Sequence, residues 1–176
     1  LQGATSHDLG QNFGKAFNVT FQNQSGQREF VWQTSWGAST RMIGALIMSH
    51  SDDEGLVLPP RLAPIHVVIV PIWKTDAEHA SVLETARNIA RELRDDGLTV
   101  ELDDRDLRPG AKYFEWERKG VPLRLEIGPR DLTEKSALGK LRISEPDEKG
   151  KPRKVKVPFA GLGVQVGKLL DDFQRS

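Results

Sequence analysis

Arg41 stands where a cation is hardest to explain. It follows Ser39 and Thr40, either of which can cap a helix, and it opens the apolar stretch Met42-Ile43-Gly44-Ala45-Leu46-Ile47-Met48. A positive charge on the first turn of a helix gains nothing from the helix dipole, so another interaction must hold it there. Nucleotide phosphate oxygens suit a planar guanidinium. A surface arginine is the alternative that this pattern alone leaves open. Three further clusters carry charge. Glu115, Glu117, Arg118 and Lys119 sit on one helical stretch and by themselves read as a solvated face. Lys149, Lys151, Arg153, Lys154 and Lys156 form a basic run that fits either a nucleic-acid backbone or a solvated hairpin tip. Asp103, Asp104 and Asp106 have no second cluster of ligands beside them, so a polar loop is favoured there over a metal site.

The elements that must position these residues change character along the chain. Residues 17–22 and 28–34 alternate apolar and polar positions around Gln24-Ser25-Gly26, which predicts a hairpin, and residues 39–48 follow as a helix. Asp52, Asp53 and Gly55 end that helix. Pro59, Pro60 and Pro64 continue neither helix nor central strand, so a domain boundary is placed near Arg61. Beyond it, the β-branched run at 65–70 predicts a strand buried on both faces. Val82, Leu83, Ala86, Ile89, Ala90 and Leu93 recur at helical spacing over residues 77–95. A strand at 98–102, a helix at 109–119, a strand at 122–127 and a strand pair at 137–144 and 153–157 complete an α/β pattern, with a polar loop at 145–151. A last helix at 161–173 is expected to present Val164, Val166, Leu169, Leu170 and Phe173 on its apolar side.

The chain of 176 residues carries 25 basic and 25 acidic residues, so no global field draws it to nucleic acid and any RNA contact must come from a local patch. Cysteine is absent, which removes disulfides, thiol nucleophiles and thiolate zinc sites; no zinc is expected. No apolar run approaches the ~20 residues that span a bilayer, no signal peptide opens the chain, and a cytoplasmic protein is expected.

Several ordered motifs resemble one family. Gln2-Gly3-Ala4-Thr5-Ser6-His7, Leu9-Gly10-Gln11-Asn12-Phe13, the Trp36 to Arg41 block and Gly55-Leu56-Val57-Leu58-Pro59-Pro60 resemble, in that order, the end of the catalytic domain of the prolyl-tRNA synthetases. Arg108-Pro109-Gly110-Ala111-Lys112-Tyr113-Phe114-Glu115-Trp116-Glu117-Arg118-Lys119-Gly120 and Glu126-Ile127-Gly128-Pro129-Arg130-Asp131 resemble the anticodon-binding domain of the same enzymes. The resemblance implies an incomplete antiparallel-sheet segment of a class II synthetase over residues 1–61, including the third class-defining motif. An anticodon-binding α/β domain follows over 62–163, a small open mixed sheet with helices on both faces, and residues 164–176 begin a C-terminal helix or linker.

The roles that the resemblance implies are specific. Arg41 contacts ATP and acts in catalysis, with Gln2 and Thr5 also against the nucleotide and Gln2 near a magnesium ion. His7, Ser35, Trp36 and Gly37 border the proline pocket. Tyr113, Glu117, Arg124 and Arg130 contact the anticodon of proline tRNA, with Tyr113 as a stacking face and Glu117 as acceptor for a guanine edge. Phe114 and Trp116 compete for the stacking role, or pack beneath the helix as core. The intact enzyme, expected as a homodimer, activates proline with ATP and transfers it to tRNA. A piece lacking the upstream substrate-binding motifs is expected to form no adenylate. An accessory tRNA-binding protein built on an anticodon domain is the second reading, although it leaves Gln2, Thr5, His7 and Arg41 without a use. A flavodoxin-like enzyme is the third, and no glycine-rich phosphate loop follows the 65–70 strand to support it.

Overall fold

The structure, a computed structural model, describes residues 2–144 and 152–175 and divides into two compact units, residues 1–49 and 50–176. The expected polar loop at 145–151, with Lys149 and Lys151 of the basic run, lies outside the described residues.

The first unit is built on an antiparallel pair. β1 (Ala4–Gly10) pairs with β4 (Gln33–Ala38), with α1 (Asn12–Ala16) and the hairpin of β2 (Thr20–Gln22) and β3 (Arg28–Phe30) between them in sequence. The hairpin turn is organised by Asn23, whose Oδ1 accepts from the backbone N–H of Ser25 and Gln27, while Gly26 takes the left-handed conformation at φ +77°. The segment expected as one strand at 28–34 is therefore two. Pairing with β2 stops at Phe30, and Gln33 begins a new partnership with β1. α2 (Arg41–Ser49) follows β4 directly and buries none of its residues within this chain.

The second unit holds a mixed five-stranded sheet in the order β11-β10-β9-β7-β8. β7 (Val67–Pro71) lies parallel to β8 (Val100–Leu102) and β9 (Leu123–Ile127). β10 (Ser136–Leu141) and β11 (Val155–Pro158) extend the sheet antiparallel. Its helices are α3 (Asp76–Asp95), α4 (Pro109–Arg118), α5 (Pro129–Glu134) and α6 (Leu162–Arg175). Because alternate strand residues point to opposite faces, two cores form. Val67, Ile69, Leu123, Leu125 and Ile127 pack with Val82, Ala86, Ile89 and Leu93 of α3 and Leu162, Val166 and Leu170 of α6. Val68 and Val70 pack against Trp116 of α4 and Val121. α3 starts on a capping box between Thr75 and Glu78.

Packing joins the short hairpin β5 (Ser51–Asp52) and β6 (Gly55–Leu56) to the second compact unit, which begins at residue 50. Arg142 binds the Asp52 carboxylate, with 3.0 Å between Nη1 and Oδ2. A Cβ on Gly55 would lie 2.5 Å from Arg118 Cα, and one on Gly120 would lie 2.7 Å from Leu56 Cβ. Glycine at both places lets the hairpin reach the end of α4. α6, expected as a terminal helix over 161–173, buries Leu162, Val166 and Leu170 in the main core; Val164, expected on its apolar side, points outward at 81% exposure. No described helix is long and apolar enough to cross a membrane.

Candidate nucleic-acid interface

Gly110, Tyr113, Phe114 and Glu117 fall at i, i+3, i+4 and i+7 of α4, so they share one helical face. The opposite face is fixed from below. Asp103, buried after β8, accepts from Trp116 Nε1 at 2.7 Å and from Arg105 Nε at 2.8 Å, and its backbone carbonyl accepts from Lys112 Nζ at 2.9 Å. Burial pushes the Asp103 carboxyl up, but the hydrogen bonds from Arg105 and Trp116 and the charge of Lys112 outweigh it and bring it down to about 2. The aspartate expected in a polar loop is thus the anchor of the helix.

Arg124, the second residue of β9, organises the face above. Its Nη1 donates to Glu117 Oε1 at 2.7 Å, and its Nε and Nη2 donate to Glu126 Oε1 at 3.2 and 3.0 Å. Its guanidinium carbon lies 3.8 Å from the centroid of the Tyr113 ring, flush against the face that was expected to receive a base. Lys140, paired with Arg124 in the register of β9 and β10, also donates to Glu117 Oε1, and Lys154 donates to Glu126 Oε2 at 2.7 Å. Among the described residues, Glu117 Oε2 has no partner. Burial raises the Glu117 carboxyl, yet the hydrogen bonds from Lys140 and Arg124 hold it below the usual carboxylate range. Burial, reinforced by the nearby Glu126 carboxylate, pushes the Tyr113 phenol above its ordinary value. Together Gly110, Tyr113, Phe114, Glu117, Arg124 and Lys140 border an open cavity of about 670 Å³, with Pro152 and Lys154 completing its wall.

Three of the four expected anticodon residues therefore meet in one cavity. Arg130, on the first turn of α5, borders a different one of about 430 Å³ with Trp73, Lys74, Glu78 and Asp131. Trp116, one contender for stacking, is core; Phe114, the other, is 64% exposed. Lys140 and Glu126 were not singled out from the sequence. Glu126 was visible as an i+2 neighbour of Arg124 on a strand face, whereas Lys140 comes from a pairing that only the fold reveals. Of the basic run, Lys154 is held by Glu126 and Lys156 by Glu134.

In the first unit, the register of β1 and β4 sets Thr5 opposite Gly37 and His7 opposite Ser35. These four share one face by alternation, and Ser6 and Trp36 pair on the other. Trp36 is 81% exposed there and borders a shallow hollow that Thr5 and Gly37 also line, together with Ala4, Ser6 and Ala38. The Gly3 carbonyl accepts from the Ser39 N–H at 2.9 Å, which ties the segment carrying Gln2 to the approach of α2. Arg41 is the first residue of α2, exposed and without an ion-pair partner among the described residues. No three His, Cys, Asp or Glu side chains among the described residues gather where they could hold a metal.

A model of the anticodon binding domain family, HGTP_anticodon, matches residues 66–162, the segment that contains the sheet and the Arg124 cavity. The chain belongs to this family. It is similar along its full length to proline-tRNA ligases: 49% identical over 177 residues to that of Roseiflexus castenholzii, covering 100% of this chain and 36% of the relative. The Porphyromonas gingivalis ligase is 51% identical over 177 residues, covering 100% of this chain and 34% of the relative. The chloroplastic/mitochondrial ligase of Arabidopsis thaliana is 49% identical, covering 100% of this chain and 32% of the relative. The chain thus spans about a third of the length of the curated relatives it matches.

Proposed function

We propose that the chain is a portion of a prolyl-tRNA synthetase and that its second unit reads the anticodon of proline tRNA. The observation that carries this reading is the meeting of Tyr113, Glu117 and Arg124 in one cavity inside the family-matched segment. A guanine presents N1–H and N2–H donors on its Watson–Crick edge, and a carboxylate with one oxygen already neutralised and the other without a partner among the described residues is a fitting acceptor. Arg124, Lys140 and Lys154 supply cations for the backbone at the same place. The second cavity, bordered by Arg130, serves the same loop.

The first unit contributes to the aminoacylation site. Arg41 stabilises charge on the ATP phosphates as pyrophosphate leaves, and Thr5 and Gln2 hold the nucleotide by directional hydrogen bonds. His7, Ser35 and Gly37, on one strand face, border proline, with Trp36 at its edge. Gln2 would also lie near a magnesium ion held with the ATP phosphates.

The test is binding of this chain to proline tRNA and to the same tRNA with its anticodon guanines replaced, at one fixed near-physiological salt concentration. Preference for the native anticodon, lost in Glu117→Ala and Arg124→Ala, is the expected result. Equal binding of the two RNAs, or unchanged discrimination in both variants, refutes the reading.

A further inference from the structure

We infer that Phe114, not Tyr113, is the aromatic face on which a base of the bound anticodon loop stacks. This rests on the reading of the cavity as the anticodon site. Tyr113 is ill placed for the role: the Arg124 guanidinium covers its ring at 3.8 Å, and Lys154 Nζ lies 5.8 Å from the same centroid. Two carboxylates fasten Arg124 there through three of its nitrogens' hydrogen bonds, so clearing the ring means breaking a largely buried network. Phe114 borders the same cavity and is 64% exposed, so its ring is accessible to a ligand there.

The helix explains why its ring is bare. Side chains on a helix lean toward its N-terminus and cover the turn before them, so a side chain at position 110 would lie beside the Phe114 ring. Position 110 is glycine, and a Cβ built there meets nothing within 4 Å. The result is an uncovered π face, beside the open oxygen of Glu117 and the cations of Arg124, Lys140 and Lys154. An unpaired nucleobase has the chemistry that uses all three at once: a flat face for the ring, an edge of N–H donors for the carboxylate, and a phosphate for the cations.

The experiment measures affinity of the full chain for proline tRNA with Phe114→Leu, Phe114→Trp and Gly110→Leu, alongside Glu117→Ala as a control on the site. Leucine keeps apolar bulk and removes the π face; tryptophan keeps it. Phe114→Leu is expected to weaken binding about 5- to 150-fold, the range set by loss of one base–aromatic stack. Phe114→Trp is expected to bind like wild type, and Gly110→Leu to weaken binding by covering the ring. Thermal midpoints do not fall in any of the three, because neither site supports the core. Wild-type affinity in Phe114→Leu, with anticodon discrimination still lost in Glu117→Ala, overturns the stacking role and leaves the site intact. Absence of any discrimination by the unaltered chain overturns both.

Discussion

Replacing Asp103 by asparagine tests whether the cavity-facing side of α4 stands on a buried charge. The side chain is fully buried, 2.7 Å from Arg105 Nη2 and 3.9 Å from Lys112 Nζ, whose own side chain is 1% exposed. Its carboxyl falls from 3.8 to about 2, and at 1.36 kcal/mol for each unit that is a contribution of about 2.5 kcal/mol to folding. Asparagine keeps the shape and one acceptor for Trp116 but removes the carboxylate charge that acts most strongly on the buried Lys112, so the loss at pH 7 should reach about 2.5 kcal/mol. The sign follows from a folded value below the unfolded one. The contribution is complete above the unfolded value near 4 and disappears as pH falls toward 2. Urea unfolding followed by far-ultraviolet circular dichroism at pH 7 and at steps between pH 5 and 2 measures it. The gap between wild type and Asp103→Asn should be widest at pH 7 and close on acidification. A gap that is absent at pH 7, or equally wide at pH 2.5, refutes the assignment of that stability to the ionised carboxylate.

Two further outcomes follow from contacts around the cavity. Gly120→Ala should lower stability by about 1–3 kcal/mol, since position 120 sits at φ +74° and the new Cβ would press 2.8 Å from the Leu56 carbonyl oxygen; a thermal midpoint equal to wild type contradicts the close docking of the β5–β6 hairpin. Lys154→Ala should reduce the slope of log affinity for tRNA against log salt by less than the ~0.7 to 0.9 expected of a free lysine on phosphate, because Glu126 already neutralises part of its charge. A full unit of slope lost in that variant shows instead that the pair opens on binding.

The parts of the fold that were legible in the sequence are those whose cause is local. The helical spacing of Val82, Ala86, Ile89, Ala90 and Leu93 predicts the buried stripe of α3 because period and burial are the same physical fact. The 65–70 run likewise predicts a strand covered on both faces, as β7 is. The misread parts depend on partners distant in the chain. Nothing near Phe30 says that pairing stops there and resumes with β1 at Gln33. Asp103 lies in the loop ahead of α4 as expected, but its burial depends on Trp116 and Lys112, 13 and 9 residues on. Of the candidate site, Tyr113 and Glu117 were already neighbours on a helix; Lys140 reaches Glu117 through a strand pairing 23 residues away.

The balanced charge of the chain and the RNA reading of its second unit are reconciled at Glu117. An unpaired carboxylate in a cavity proposed to receive RNA would repel the phosphates that would enter with the base. Here Glu117 and Glu126 face Arg124, Lys140 and Lys154, two negative groups against three positive ones, so the local balance stays positive although the chain as a whole carries none. The sharing is also asymmetric. Arg124 and Lys140 both take the Oε1 atom, which leaves Oε2 with its acceptor capacity and no competing donor among the described residues. Adenine has no donor at N1, so the open oxygen rewards guanine over the other purine. A base lacking those donors would leave the carboxylate partly desolvated and unsatisfied, and that penalty, more than the attraction to the right base, is what would make the site selective.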